Sequence, residues 1–235
     1  MIKVENIEVF GWEAAIRGMR NPMNSWAKSD SHHCLIDFGL DCQMVENGHE
    51  PAIKCNDGKF GYCIGENDLG LMQRLYKGGT EHRKYLRMIH VQMDITAPMY
   101  WFKEWDTYKI ATTSNSTSTM HKIHDKEFAL DDFSHEHLYI DNMDVLDTYI
   151  IPSLNYYRNR FIETRDKECW WQMIQLLPSS YNQRRTVDFS YETAVNIIKQ
   201  RSGHKLDEWR KFVEVLKELP YIKEIMEVRY ETDRC

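Results

Sequence analysis

The sequence predicts an α+β protein, and three observations carry that expectation. Residues 88–96, MIHVQMDIT, alternate without a break: Ile89, Val91, Met93 and Ile95 fall on one side, His90, Gln92 and Asp94 on the other. A period of two marks a strand with one buried face, and the polar face is then either solvated or lines a site. Two long stretches, about 142–163 and 166–177, carry helical patterns instead. Strand-like and helix-like pieces are also interspersed along the chain with no internal repeat, as in one mixed region.

The other elements follow from their end signals. Residues 2–10 alternate well enough for a strand, Gly11 breaks it, and WEAAIRGMR continues as a helix up to Asn21-Pro22. From about 23 to 65 the chain is rich in Gly, Asp, Asn and His, with short strand-like pieces CLIDFGL and KFGYCIG. That composition suits an irregular excursion, or a hairpin, within the domain. Glu66-Asn67-Asp68 can cap a helix, LGLMQRLYKGG, which Gly78-Gly79 ends. After the 88–96 strand, Ala97-Pro98 starts PMYWFKEWDTYKIA, with proline at the first helical position where its missing N–H costs nothing. RRTVDFS is a short extended piece, and YETAVNIIKQR, LDEWRKFVEVLKEL and YIKEIMEVRY are helices.

A net charge of -6 argues against a general nucleic-acid binder, whose affinity comes from a basic face. It leaves room for a small anion, for which one local group of cations suffices. No apolar stretch approaches the roughly 20 residues of a membrane span. Glu5 and Glu8 interrupt the apolar pattern of the N-terminus, which does not read as a secretory signal. Cys34, Cys42, Cys55, Cys63, Cys169 and Cys235 form no CxxC motif and read as reduced thiols of a cytoplasmic protein. With His32, His33 and His49 the first four have residue types that suit zinc, but their spacing matches no compact ligand knuckle.

The chemistry gathers around ATTSNSTSTMHK, residues 111–122. Seven of the eight positions from Thr112 to Thr119 are hydroxyl residues and the eighth is Asn115. Such a run is either a solvated loop or a loop that donates hydrogen bonds to an anion, with Lys109 before it and Lys122 after it to supply charge. Gln183-Arg184-Arg185 forms a second cationic group, and the planar fork of arginine suits phosphate. There is no GxSxG elbow, P-loop or HExxH motif. Cys169 lies beside Trp170 and Trp171 on a helical pattern, so it reads as a core cysteine and not a nucleophile.

The order of these pieces resembles the core of the flavin-dependent thymidylate synthases (ThyX): helix, Gly-rich turn, strand, Ala-Pro, aromatic-rich helix, Ser/Thr/Asn loop. APMYWFKEWDTYKIAT runs without a gap against the family's Ala-Pro, helix, Gln-Trp-Phe-Arg-His-Arg pattern, matching at Ala97, Pro98, Trp105, Ile110 and Ala111. Lys109 stands where the last Arg belongs, with Thr107 and Tyr108 in place of Arg and His. With one inserted residue, Asn115, Ser116 and Ser118 fall on the family's Asn, Glu and substrate-contacting Ser. Met120 then falls on its phosphate-binding Arg, which His121 or Lys122 must replace. LLPSSYNQRRTVDFSYETAVNIIKQR resembles a second block, in which Arg184 matches a phosphate-binding Arg and Arg201 an Arg along the flavin. HKLDEWRKF, with His204 and Trp209, is similar to the segment after it, and AAIRGMRNPMNS faintly resembles an N-terminal piece through Arg20 and Ser25. The resemblance covers residues 2–26, 66–122 and 165–220 and leaves 27–65 as an insertion.

The resemblance implies one ThyX-like domain over residues 1–235, with an antiparallel sheet flanked by helices. It implies an enzyme that methylates dUMP, or a related pyrimidine nucleotide, with methylenetetrahydrofolate and FAD, as a homotetramer. Ser118 is the catalytic-site serine of that reading. Glu104, Ser116, Ser118, His121, Lys122 and Arg184 are its substrate contacts, Lys109, Arg201 and His204 its cofactor contacts, and no metal takes part. The alternative is a nucleotide-binding or structural protein that kept the fold and lost flavin chemistry.

Overall fold

A computed structural model describes residues 1–33 and 61–227. Six strands are described: β1 (Lys3–Phe10), β2 (His32–His33), β3 (Tyr62–Cys63), β4 (His90–Pro98), β5 (Thr112–Ser116) and β6 (Asn182–Ser190). The α-helices are α1 (Trp12–Arg20), α2 (Glu66–Lys77), α3 (Met99–Trp105), α4 (Ile140–Val145), α5 (Ile151–Thr164), α6 (Lys167–Leu176), α7 (Tyr191–Arg201), α8 (Asp207–Lys217) and α9 (Ile222–Met226).

Four strands form one sheet in the order β1-β4-β6-β5, with β1 and β5 at its edges. Asp94 meets Arg184 and Thr186, whereas His90 meets Asp188, so β4 and β6 run antiparallel. Asn6 meets Asp94 and Phe10 stacks on His90, which gives β1 the same opposite sense to β4. The alternation read from residues 88–96 is the observed one: Val91, Met93, Ile95 and Ala97 are buried, and the polar set faces away.

The chain divides into two compact units, each assembled from three separate segments. The first comprises Met1–Ile7, Met93–Val187 and Lys205–Phe212. Its aromatic core joins α3 to the start of α8: Trp101 stacks on Trp105 at 5.6 Å and lies tilted against Trp209 at 4.6 Å, with Phe212 edge-on to Trp101. A second cluster, including Phe128, Phe133, Leu146, Ile151, Leu154 and Met173, seats the helices 140–164 and α6. The segment expected as one helix over 142–163 is α4 and α5 joined through π-helical turns at Leu146–Ile150. Pro152 explains the interruption. It lacks an N–H and its ring would strike the carbonyl one turn back, and the wider turn removes the clash. Cys169 is buried, as its setting in the sequence suggested.

The second unit comprises Glu8–Gln92, Asp188–His204 and Val213–Cys235. Gly11, at φ +94°, turns β1 into α1 so tightly that a Cβ would overlap the Met88 carbonyl. Trp12 then lies edge-on to Tyr191 and Tyr221, and Tyr191 donates its hydroxyl to the Pro220 carbonyl at 2.9 Å. The Arg20 guanidinium is buried against Asp68 at 2.6 Å and also donates to the carbonyls of Ser25 and Lys28. Asp68 accepts in turn from the Ser29 and Ser31 hydroxyls and from the N–H groups of Asp30 and Ser31.

Several boundaries differ from expectation for physical reasons. Helix α2 is not capped by Glu66-Asn67-Asp68. The Asp30 carboxylate, distant in sequence, takes the N–H groups of Asn67 and Asp68, and Asp68 turns inward. Pro98 ends β4 at φ -67°, ψ 150°, and α3 starts one residue later. That helix stops at Trp105 and does not reach Ala111: the Thr107 hydroxyl bonds back to the Glu104 carbonyl at 2.7 Å, and Ala111, at φ +54°, turns the chain. Residues 112–116 are an edge strand and not a loop, since threonine suits strands and hydroxyl side chains suit an edge that meets water. RRTVDFS is the end of a strand that begins at Asn182. The C-terminal pattern YIKEIMEVRY yields only the short α9, and its last residues lie outside the described ones. CLIDFGL, Cys34, Cys42, His49 and Cys55 also lie outside the described residues. The two ends of that excursion pair antiparallel, His32 with Cys63 and His33 with Tyr62.

Candidate functional site

In the first unit the hydroxyl run and Arg184 are neighbours through the backbone. Thr117 N–H donates to the Arg184 carbonyl at 2.9 Å, and Arg184 N–H donates to Thr117 Oγ1 at 3.3 Å. The Gln183 amide donates to the Thr117 carbonyl at 2.7 Å. Strand alternation then sends the two adjacent arginines to opposite faces. Arg185 lies against α3, 4.0 Å from the Phe102 ring centroid, and donates to Gln183 and to Asp106, the latter at 2.7 Å. Ser114 also points toward α3, accepting from the Trp105 indole at 3.2 Å.

Arg184 takes the other face. Its Nη2 donates to Asp94 on β4 at 2.7 Å, and Asp94 also accepts from Thr186 at 2.5 Å and from Asn6 at 2.7 Å. Hydrogen bonds from Thr186, Asn6 and Arg184 hold the Asp94 carboxyl far below the usual carboxylate range. The same bond pushes the Arg184 guanidinium further up. Arg184 is nearly half exposed, and Nε and Nη1 have no partner among the described residues.

Past β5 the chain makes a compact turn built on Ser118. Its Oγ accepts from the N–H groups of Met120 at 3.2 Å and His121 at 2.8 Å, which leaves the hydroxyl hydrogen free to be donated elsewhere. The Trp170 indole fixes the turn from α6 by donating to the Met120 carbonyl at 2.9 Å. Ser116, His121 and Lys122 are exposed, and Lys122 pairs with Asp125 at 3.1 Å. Lys109 is exposed in the turn between α3 and β5, and Glu104 is half-buried near the end of α3. Arg201 and His204 belong to the second unit, where His204 N–H donates to the Arg201 carbonyl at 3.0 Å just past α7.

The structure therefore joins the Ser116–Lys122 stretch to Arg184 within one unit. It also adds side chains that the sequence did not single out as site residues: Asp94, Asn6, Thr186, Asp106 and Asp125. Only Asp94 left a trace in the sequence, as a member of the polar face of residues 88–96. Among the described residues no group of three or more His, Cys, Asp and Glu side chains is placed to hold a metal, and no helix is long and apolar enough to cross a membrane.

No protein-family model and no curated protein matches the chain. Solved structures do match its fold. A flavin dependent thymidylate synthase ThyX from Helicobacter pylori, complexed with FAD and dUMP, superposes with a TM-score of 0.60 over 95% of this chain and 97% of its own, at 14% identity. A second structure of ThyX from Helicobacter pylori, with FAD and dUMP, gives a TM-score of 0.62 over 98% of this chain and 100% of its own, again at 14% identity. The chain has a ThyX-like α+β fold.

Proposed function

We propose that the chain is a flavin-dependent thymidylate synthase-like enzyme that methylates dUMP or a related pyrimidine nucleotide, with methylenetetrahydrofolate as carbon donor. One observation carries this reading. The hydroxyl-rich run and Arg184, far apart in sequence, meet through the Thr117–Arg184 backbone bond at 2.9 Å. Arg184 offers the open donors of its fork, Ser118 its hydroxyl hydrogen, and Ser116, His121 and Lys122 follow on the same exposed stretch. That donor set fits a phosphate. Glu104 takes the place of a nucleotide-contacting group on α3.

The family resemblance assigns Lys109, Arg201 and His204 as the residues that would hold FAD, and cationic and hydrogen-bonding side chains of this kind suit a diphosphate. Bound reduced FAD supplies the hydride chemistry, so the protein needs no nucleophile of its own and acts by holding and polarising the uracil ring. We assign the protein to the cytoplasm as a homotetramer, and a sedimentation mass of a single chain would count against this assembly.

A second reading, a scaffold that binds a nucleotide without flavin chemistry, has its own observation. Thr107 stands in the Arg-His-Arg position and its hydroxyl is engaged by the Glu104 carbonyl, a helix-ending role in place of a ligand contact. Visible spectra with and without added FAD, followed by dUMP titration, separate the two. Flavin peaks perturbed by dUMP are expected for the enzyme, dUMP binding by a colourless protein marks the nucleotide-binding scaffold, and binding of neither leaves only a structural scaffold.

A further inference from the structure

We propose that Asp94 is the specificity-determining residue of this anion site: its carboxylate is a built-in competitor for Arg184, and it sets how much negative charge a ligand can bring there. This rests on the reading of Arg184 as the phosphate grip. Asp94 occupies a donor of the Arg184 fork that a ligand oxyanion would otherwise take. It takes Nη2 of Arg184 at 2.7 Å, and Thr186 and Asn6, on the two flanking strands, complete a three-donor cradle around it. Arginine and carboxylate together are neutral, so an arriving phosphate meets one open edge of the fork next to a fixed negative charge.

Lys122 repeats the arrangement with Asp125 at 3.1 Å, so both cations of the site are already matched by carboxylates. The contrast with the next residue supports a role beyond holding the fold. Arg185 and Asp106 are also paired, but Arg185 is covered by Phe102 and Gln183 and has a packing task. Arg184 makes no such contact, and its side chain is 48% exposed. A carboxylate that only balanced a surface charge would not need three donors converging on it.

Asp94→Asn removes the charge and keeps the shape, with Asp94→Ser as a second variant and circular dichroism to confirm that each folds. Two readouts are taken on the full chain. Calorimetric titration compares dUMP with deoxyuridine, which lacks the phosphate. Phenylglyoxal modification, mapped on peptides by mass spectrometry with and without inorganic phosphate, reports on Arg184 itself, with the exposed Arg74 as internal reference.

The expected result is about tenfold tighter dUMP binding by the variants, less than twofold for deoxyuridine, and faster Arg184 modification that inorganic phosphate suppresses. Unchanged or weaker dUMP binding in variants of a protein that does bind it overturns the inference and leaves the phosphate reading standing. Faster, phosphate-suppressed modification without dUMP binding by any of the proteins upholds the inference and fails the dUMP reading. Unchanged Arg184 reactivity together with no dUMP binding overturns both.

Discussion

Arg20–Asp68 and Arg184–Asp94 are the same chemical pair built twice, once in each compact unit. The contact distances nearly agree, 2.6 Å and 2.7 Å, and both carboxylates also take side-chain hydroxyls. Burial separates them. The side chains of the first pair are 4% and 0% exposed, those of the second 48% and 13%. Around Arg20 the donors and acceptors are matched by backbone and serine partners, so nothing remains for a ligand. Around Arg184 part of the fork stays open. A buried pair of this kind fixes three chain segments together, whereas an exposed one can be competed with.

Breaking each pair in turn should give different kinds of loss. Asp68→Ala leaves the Arg20 guanidinium buried without its counter-charge, and the expected cost is about 3–5 kcal/mol in urea unfolding. A loss below about 1 kcal/mol would mean that water reaches the site. The same pair sharpens the contrast under acid. Burial raises the Asp68 carboxyl, but bonds from Ser31, Ser29 and Arg20 outweigh it and lower its pKa below the ordinary value. A carboxyl lowered by folding contributes stability that is complete above the unfolded value near pH 3.9 and is lost as pH falls below it. The melting temperature should therefore drop through that window in the native protein, and less steeply in an Asp68→Asn variant.

Arg184→Ala should leave the melting temperature almost where it was. It should weaken dUMP binding by roughly tenfold to a hundredfold if the fork grips a phosphate. Unchanged affinity would make Arg184 ordinary surface charge. A further stability effect is expected at Gly65, whose backbone is ordinary but whose added Cβ would overlap both the Asp30 carboxylate and the Asp30 backbone carbonyl. Gly65→Ala should displace that remote cap from α2 and cost about 1–3 kcal/mol, since cap loss adds to crowding of the Asp30 backbone. The smallest change is with salt. Raising sodium chloride to about 0.5 M should speed phenylglyoxal attack on Arg184 modestly and leave Arg20 protected, because screening acts on exposed pairs.

Much of the fold was legible because local rules and tertiary packing agree along β4, α1 and α7. The alternation of residues 88–96 survives in the structure because Val91, Met93 and Ile95 meet a real core. The misses have two physical origins: local breaks, at Pro152 and at Thr107 and Ala111, and partners distant in sequence. Nothing near Glu66 announces that Asp30 caps α2, and although threonine suits a strand, the hydroxyl run takes that form only by pairing with β6. The candidate site was half legible for the second of these reasons. Ser118, Lys122 and Arg184 stand out by residue type, but Asn6, Asp94 and Thr186 look like ordinary polar positions of three strands until the sheet brings them together.

The paired ends at His32–His33 and Tyr62–Cys63, with Asp30 fastened to the start of α2, make a seam in the second unit. Both edges of the seam are held by bonds within residues 30–33 and 62–68. Asp30 therefore acts as a latch: one side chain clamps the stretch leading into β2 to the first turn of α2, so a single substitution there should loosen both.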